Sequence, residues 1–527
     1  MTFNILLKYF SFLPLLILCL LLVYSKYSPI KTHVRFFEKD FDNNTSPQLL
    51  WLLIGIYFLT FGAMSCLRYI SFHSTIADLG FYENKIWQIA HNYKFEYLFV
   101  GHFSPMLLIH AFTYQCISST VTLLILQLTT IALAAIPLYC LSVRILKNNK
   151  ISLIIVIIFF LFSAVEYNNL FDFHPDHIII VLILSCFYFL ETERRGWFFF
   201  FAILALLVKE SYLFNVTALG LYAVIRYKWH KIGFAVFVLS LTLFFIHAKI
   251  ILPQFCEGIN PLIQSPESRY AYLGNGFSGI LKTFLLNPLI VIRELLHLKK
   301  ILFIFVLFSP LLFIPLLSPW ILILTIPSFA IQLLSTAPLH YTINNQYTAS
   351  LIPFIFVSFV YGLKKLNTKK LSIAISSVCI VSVWFNITIG ASPISYLFWE
   401  HTKTVNPYSF KNYMVSSHSR KISTAISMIP EGVSVCAQNS VYTSRLAKRD
   451  IFYVFPYEYE RADYIVLDEK RLKYVGDQID NEKYNILLKE IPKTHTIVFQ
   501  DDGIYLFKKK VLFPLIPSLD DPEQKRF

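Results

Sequence analysis

Apolar residues run along this chain in long blocks, and polar residues are confined to the breaks between them. Runs such as LPLLILCLLLVYS, TLLILQLTTIALAAIPLYCLSV and KIGFAVFVLSLTLFFIHAKIILP suit helices crossing the roughly 30 Å of bilayer hydrocarbon. Only helices or a closed barrel satisfy backbone groups there, and these runs show no period-two alternation, so a helical bundle is predicted. Threading the chain through the runs gives about twelve spans. They lie near 6–25, 49–69, 119–145, 151–165, 178–190, 197–208, 211–225, 232–252, 301–317, 318–335, 348–363 and 371–390. The first has little positive charge ahead of it and a basic stretch behind it, the reverse of a secretory signal. It is read as a retained span with its N-terminus outside.

Composition agrees. The 527 residues are 56% hydrophobic, 17% aromatic and only 15% charged, with a mean hydropathy of +0.58, as expected of a polytopic membrane protein. The net charge of +14 does not point to nucleic acid, because the basic residues collect in short breaks: Lys26, Lys31, Arg35 and Lys39; Arg144, Lys147 and Lys150; Arg194 and Arg195; Arg226, Lys228 and Lys231; Lys364, Lys365, Lys369 and Lys370. Such breaks mark the cytoplasmic side. Eight cysteines without a CxxC pair, most inside apolar runs, read as packing residues.

By the same threading, the breaks that carry acids and histidines fall on the opposite, extracytoplasmic face: 70–118, 166–177, Lys209-Glu210, 253–300, 336–347 and the tail after 391. Separate pieces converging on one surface predict a composite site. Each piece also has a plainer reading. Asp78 in IADLGFYENKIW suits an N-cap, with Trp87 in the aromatic belt. His102 in GHFSP suits a hydrogen bond to a headgroup or a carbonyl. NNLFDFHPDH, 168–177, suits a polar turn because Pro175 breaks the helix, although its titratable groups exceed what a turn needs. Lys209 and Glu210 interrupt an apolar run; such groups either snorkel or need a partner or a wet cavity.

After residue 391 the pattern changes. HSRKISTAISM is helical, VSVCA, IFYVF and DYIVLD are β-rich, and HTIVFQDDGIYLFKKK reads as a hairpin, giving an extracytoplasmic α/β domain of roughly 110 residues. It has no phosphate-binding glycine loop and is read as an acceptor-binding or lid domain. The terminus SLDDPEQKRF reads as frayed.

ADLGFYENKIW, GHFSP, PLYCLSVRIL, NLFDFHPDH, LLVKES, RYAYLG and QYTASLIPF, in this order, resemble the predicted-membrane-protein family called domain of unknown function 2079, from about residue 50 to the end of the chain. That family looks like a branch of the GT-C membrane glycosyltransferases, which take a sugar from a polyprenyl-phosphate carrier on the extracytoplasmic face. The resemblance implies an α-helical polytopic protein of GT-C type in a bacterial cytoplasmic (inner) membrane, with its active face outside. The threading divides the chain into an extra N-terminal helix and basic cytoplasmic loop at 1–48, a GT-C-like domain at 49–390 and the α/β domain at 391–527. The resemblance also places an essential acid in the first outer loop, where Asp78 matches. The chain departs from the family in having Glu83-Asn84 where Asp-Gln is usual, and in its additional first span.

The chemistry fits that reading. Inverting transfer to a hydroxyl needs one carboxylate to take a proton; Asp78 is the candidate base, with Glu83 a second catalytic carboxylate. A phosphate leaving group needs cations and donors, supplied by Lys209, Arg269, His102 and His174. Asp172, Glu210, Tyr270 and Gln346 complete the expected substrate-binding set, and Asp172 and His174 are expected to share a cavity with Asp78. A divalent ion on Asp78, Glu83 and Asp172 stays open, although carboxylates scattered over loops are weak metal evidence. The expected partners are a polyprenyl-phosphate-sugar donor and membrane lipids, and no nucleic acid. A multi-pass transporter or a lipid or glycan flippase is the alternative; it would carry charges at mid-membrane in repeated halves, and no internal repeat is evident. A scaffold would explain the tail but not the polar breaks.

Overall fold

The computed structural model describes residues 46–255, 269–274, 276–400, 407–471 and 481–510. The expected span at 6–25 and the basic stretch after it lie outside the described residues. The chain divides into two compact units, one of Met1–Ile70 with Phe81–Met414, the other of Ser71–Gly80 with Val415–Phe527.

The first unit is helical. Among the described residues Pro47–Ile70, Thr120–Leu146, His230–Phe255 and Thr368–Ile389 are long and apolar enough to cross a membrane. Asn149–Phe160 and Ser163–Leu170, bent by 50°, add another if the pair is one span. Other expected spans form shorter helices, including Ile178–Glu191, Arg195–Leu206, Leu213–Tyr227 and Ile352–Lys364. The 14 residues of Ile178–Glu191 extend only about 21 Å at the α-helical rise. The expected span at 318–335 forms the shorter helix Pro319–Leu333, and that at 301–317 is the most altered. Pro310, Pro315 and Pro319 each open a helical piece, where the missing N–H does no harm but the preceding helix cannot run on. Between two of these pieces Leu312 and Phe313 take left-handed backbone, φ 51° and 54°. The about twelve apolar runs of the sequence are therefore not about twelve equal crossings.

Packing in this unit needs glycine at one crossing. A Cβ on Gly220 would lie 2.8 Å from the Gly233 carbonyl oxygen, and one on Gly233 2.7 Å from that of Gly220. Leu213–Tyr227 and His230–Ile246 thus meet backbone to backbone, the close approach that small residues permit between apolar helices. Thr217 donates across the same interface to Ser240 at 2.8 Å.

The second unit is α/β, as the tail's pattern predicts. Ser416 caps helix Ser417–Ser427, its hydroxyl accepting from Ser419 N at 3.0 Å. The strands are β1 (Val435–Ala437), β2 (Phe452–Val454), β3 (Tyr464–Asp468), β4 (His495–Asp501) and β5 (Ile504–Lys509), ordered β2-β1-β3-β5-β4. β1 pairs in parallel with β2 and β3, and β5 is antiparallel to β3 and β4. The β4–β5 turn is Asp502-Gly503, both at positive φ, 56° and 81°, as a two-residue hairpin turn demands. Cys436, Ile465, Leu467, Tyr484 and Phe507 form its core. The short segment Ser71–Gly80, far away in sequence, also belongs to this unit.

Candidate functional site

Two breaks in the first unit organise its polar centre. Lys209 is extended (φ −166°, ψ 151°) before the 3-10 turn Glu210–Tyr212. His174 is extended (φ −139°, ψ 142°) before Pro175–His177, as a residue preceding proline must be. The Lys209 ammonium lies 3.3 and 3.4 Å from the two Asp176 carboxylate oxygens, and the Tyr212 hydroxyl donates to Asp176 at 2.5 Å. Asp176 is 2% and Lys209 6% exposed, so Lys209 is paired rather than snorkelling. Burial pushes the Asp176 carboxyl up, but Lys209, His174 and the Tyr212 hydroxyl outweigh it and hold the group well below the usual carboxylate range. Burial likewise pulls Lys209 down, and Asp176 outweighs it and keeps the ammonium charged.

Glu210 meets a different partner. One of its oxygens lies 2.7 Å from His102 Nδ1 and the other accepts from Phe103 N at 3.0 Å. With His102 34% and Glu210 20% exposed, this edge of the cluster is open. Burial raises Glu210, but His102 and then Lys209 bring it down to about 2. Burial and Lys209 lower His102, against the pull of Glu210.

The FDFHPDH stretch divides between anchoring and site. His174 N donates to Gln127 Oε1 at 2.9 Å, its Nδ1 lies 3.0 Å from the Asp172 carbonyl oxygen, and its ring meets Tyr82 edge-on with centroids 5.1 Å apart. Asp172 pairs with Arg68, Nη1 to Oδ1 3.5 Å. Arg68 also donates to the Leu170 carbonyl and lies 5.4 Å from the Tyr408 ring centroid.

Glu83 is fully buried, one oxygen accepting from Tyr114 at 2.6 Å and the other from Thr120 at 2.5 Å. It ties Phe81–Asn92 to the helices Leu107–Cys116 and Thr120–Leu133, the placement of an anchor more than of a proton acceptor. Two residues on, buried Lys85 donates to the Val100 carbonyl at 2.8 Å and lies 5.4 Å from the Phe81 ring centroid.

Arg269 and the 336–350 segment complete the group. Arg269 Nη1 lies 3.0 Å from His340 Nε2, and the His340 ring stacks 4.4 Å from Tyr347. Burial, then Arg269 and Lys209, bring His340 down to about 4, so it stays neutral and accepts from the guanidinium. Tyr270 donates to the Ile331 carbonyl at 2.6 Å, a structural contact. Gln346 opens the turn Gln346–Ser350, which packs on Pro175–His177; its Oε1 is buried with no hydrogen-bond partner among the described residues.

Most of the expected loops of the first unit therefore meet in one polar cluster. Sequence reading missed Asp176, Tyr212, His340, Lys85, Gln127 and Arg68. Asp176 was signalled by lying in the same motif as the two residues chosen. No three His, Cys, Asp or Glu side chains gather as metal ligands among the described residues. With Glu83 held by hydroxyls and Asp172 by Arg68, a divalent ion on those carboxylates does not fit.

Asp78 lies in the second unit, half-buried, third in the π-turn Ile76–Gly80. Thr75, not Asp78, occupies the position before that turn. A carboxylate in a first turn favours the positive end of the helix dipole.

The acid sensitivity of this arrangement is predictable. His340 titrates near 6.5 when unfolded and about 4 when folded. The unfolded chain binds the extra proton between those values, so stability is lost as pH falls from 6.5 to 4. Glu210, lowered from 4.5 to about 2, adds a loss below 4.5. Thermal unfolding in detergent should show the melting temperature falling across 6.5 to 4, and falling less in His340→Gln.

A match to the family described as "Predicted membrane protein (DUF2079)" spans residues 68–506. No curated protein matches this chain. Among solved structures, the crystal structure of ArnT from Cupriavidus metallidurans bound to undecaprenyl phosphate is similar with a TM-score of 0.44 and 12% identity, over 88% of this chain and 98% of that one. A likeness of that size carries no inference about this chain.

Proposed function

The chain belongs to the DUF2079 family of predicted membrane proteins, and on that premise we propose that it is a GT-C-type glycosyltransferase of a bacterial inner membrane. It moves a sugar from a polyprenyl-phosphate-linked donor to a lipid, glycan or protein acceptor on the extracytoplasmic face. One observation supports this most: cations and neutral donors are gathered at breaks between apolar helices. Lys209 is held by Asp176, to which the Tyr212 hydroxyl also donates, and Arg269, among the described residues, faces neutral His340 and no carboxylate. A lipid-linked phosphate reaches such a place sideways from the bilayer, and preorganised donors there stabilise its leaving charge.

In this reading the acceptor hydroxyl attacks the anomeric carbon while its proton passes to Asp78. The bond from sugar to phosphate breaks, and the phosphate leaves with the electron pair, stabilised by Arg269 and Lys209. Glu83 positions the helix that follows Asp78 in the chain.

Native mass spectrometry of the purified protein tests the donor class. Polyprenyl phosphate should be retained and the uncharged polyprenol lost. Arg269→Gln should weaken retention about 10- to 150-fold, the worth of one charge-assisted hydrogen bond. Equal retention of polyprenol would count against the proposal. The buried Lys209–Asp176 pair is also a feature that transport proteins use; a flippase would move the sugar lipid across vesicles without cleaving it, and that result would select the second reading.

Orientation follows from the lysine and arginine bias. Reporter fusions at Asn92 and Asn439 should be active only in an extracytoplasmic format. Activity of a cytoplasmic reporter at either position would overturn the assigned face.

A further inference from the structure

The segment Ser71–Gly80, which carries Asp78, is fastened at both ends by residues of the α/β unit. At its start, Arg471 donates to the carbonyl of Phe72 and, at 3.3 Å, to that of Ser71. Arg471 is itself oriented by buried Asp468 at 3.4 Å. Ser419 adds a bond to the Ser71 carbonyl at 3.2 Å. Phe72 sits at φ 62°, a left-handed conformation that a bulky residue keeps only when its surroundings over-determine it.

Asn439 then receives the turn. Its carbonyl accepts from Ile76 N at 3.0 Å and its side-chain oxygen accepts from Ala77 N at 2.7 Å. These are the first two N–H groups of the π-turn, of the kind that a helical start leaves without partners inside it. At the far end Gly80 lies under Tyr442, whose ring would be 2.7 Å from a Cβ placed there. Asp78 stands between these fixed points.

We propose that the α/β unit is a positioning module for Asp78, and that Asn439 is its positioning residue, setting the backbone from which the carboxylate projects. The proposal rests on Asp78 being the base and gives the tail a role other than that of a lid.

The test uses the full-length protein in nanodiscs, with amide exchange read over 71–80 and transfer read separately. Asn439→Ala removes the side-chain acceptor and should speed exchange at Ala77–Gly80 about 2- to 30-fold, the factor corresponding to a lost cap, while β3 and β5 stay protected. Transfer should fall through kcat more than through KM. Asn439→Asp keeps an acceptor in place and should restore both protection and transfer. Unchanged exchange in Asn439→Ala would overturn the anchoring. Faster exchange with unchanged transfer, where Asp78→Asn is inactive, would overturn the positioning role. Normal transfer by Asp78→Asn would instead remove the premise, and the proposal with it, whatever the exchange shows.

Discussion

Asp78→Asn is expected to insert and accumulate like the wild type while its glycan product falls by about 10²–10⁴, the usual effect of removing a positioned general base. The substitution keeps the shape of the side chain and removes its charge and its ability to take a proton. Asp78 lies within the turn Ile76–Gly80 rather than before it, so no cap is lost, and even a lost cap would cost only about 0.5–2 kcal/mol of stability. A fall in product without a fall in protein therefore isolates chemistry from folding. Glu83→Gln should behave differently. Its carboxylate serves two buried hydroxyls, so the expected defect appears in thermal stability together with activity. Normal product from Asp78→Asn would move the base to another carboxylate of the outer loops.

The second large effect is expected at Lys209. Lys209→Met leaves Asp176 buried with the Tyr212 hydroxyl but without its cation, and breaking a buried pair from one side costs about 3–5 kcal/mol. That is enough to deplete a marginally stable fold. Adding Asp176→Asn removes the lone charge and keeps an acceptor for Tyr212, so most of the stability should return. A double-mutant cycle on thermal unfolding in detergent measures the coupling. Transfer should stay lost in the double variant, because the cation for the leaving phosphate is gone. If Lys209→Met alone unfolds at the wild-type temperature, the pair is solvated and its assigned role fails.

Much of this arrangement was legible locally. The Lys209-Glu210 break betrayed itself because ionisable groups inside an apolar run need partners. The DDG turn announced the β4–β5 hairpin through its demand for positive φ. Tyr270 was legible as a residue but not as a contact, because nothing nearby in sequence shows that its hydroxyl meets the Ile331 carbonyl. FDFHPDH offered neighbouring titratable side chains. Which of them meets Lys209 depends on the extended His174 and the 3-10 turn after it, and that geometry selects Asp176 while Asp172 goes to Arg68. The partners of the Asp78 segment were the least accessible. Asn439 lies 362 residues from Ala77 and Arg471 lies 399 from Phe72, separations over which periodicity and motif spacing carry no information. The apolar runs also overstated the regularity of 298–317, where Pro310 and Pro315 cut the helix into pieces.

The most direct measurement is mass spectrometry of lipid-linked glycans and surface polymers from a strain lacking this gene, complemented with wild type or with Asp78→Asn. The account predicts that the deletion strain accumulates a polyprenyl-phosphate-linked sugar and lacks one glycosylated product, and that wild type but not Asp78→Asn restores it. Lipid-linked glycans and surface polymers identical in all of these strains would contradict it.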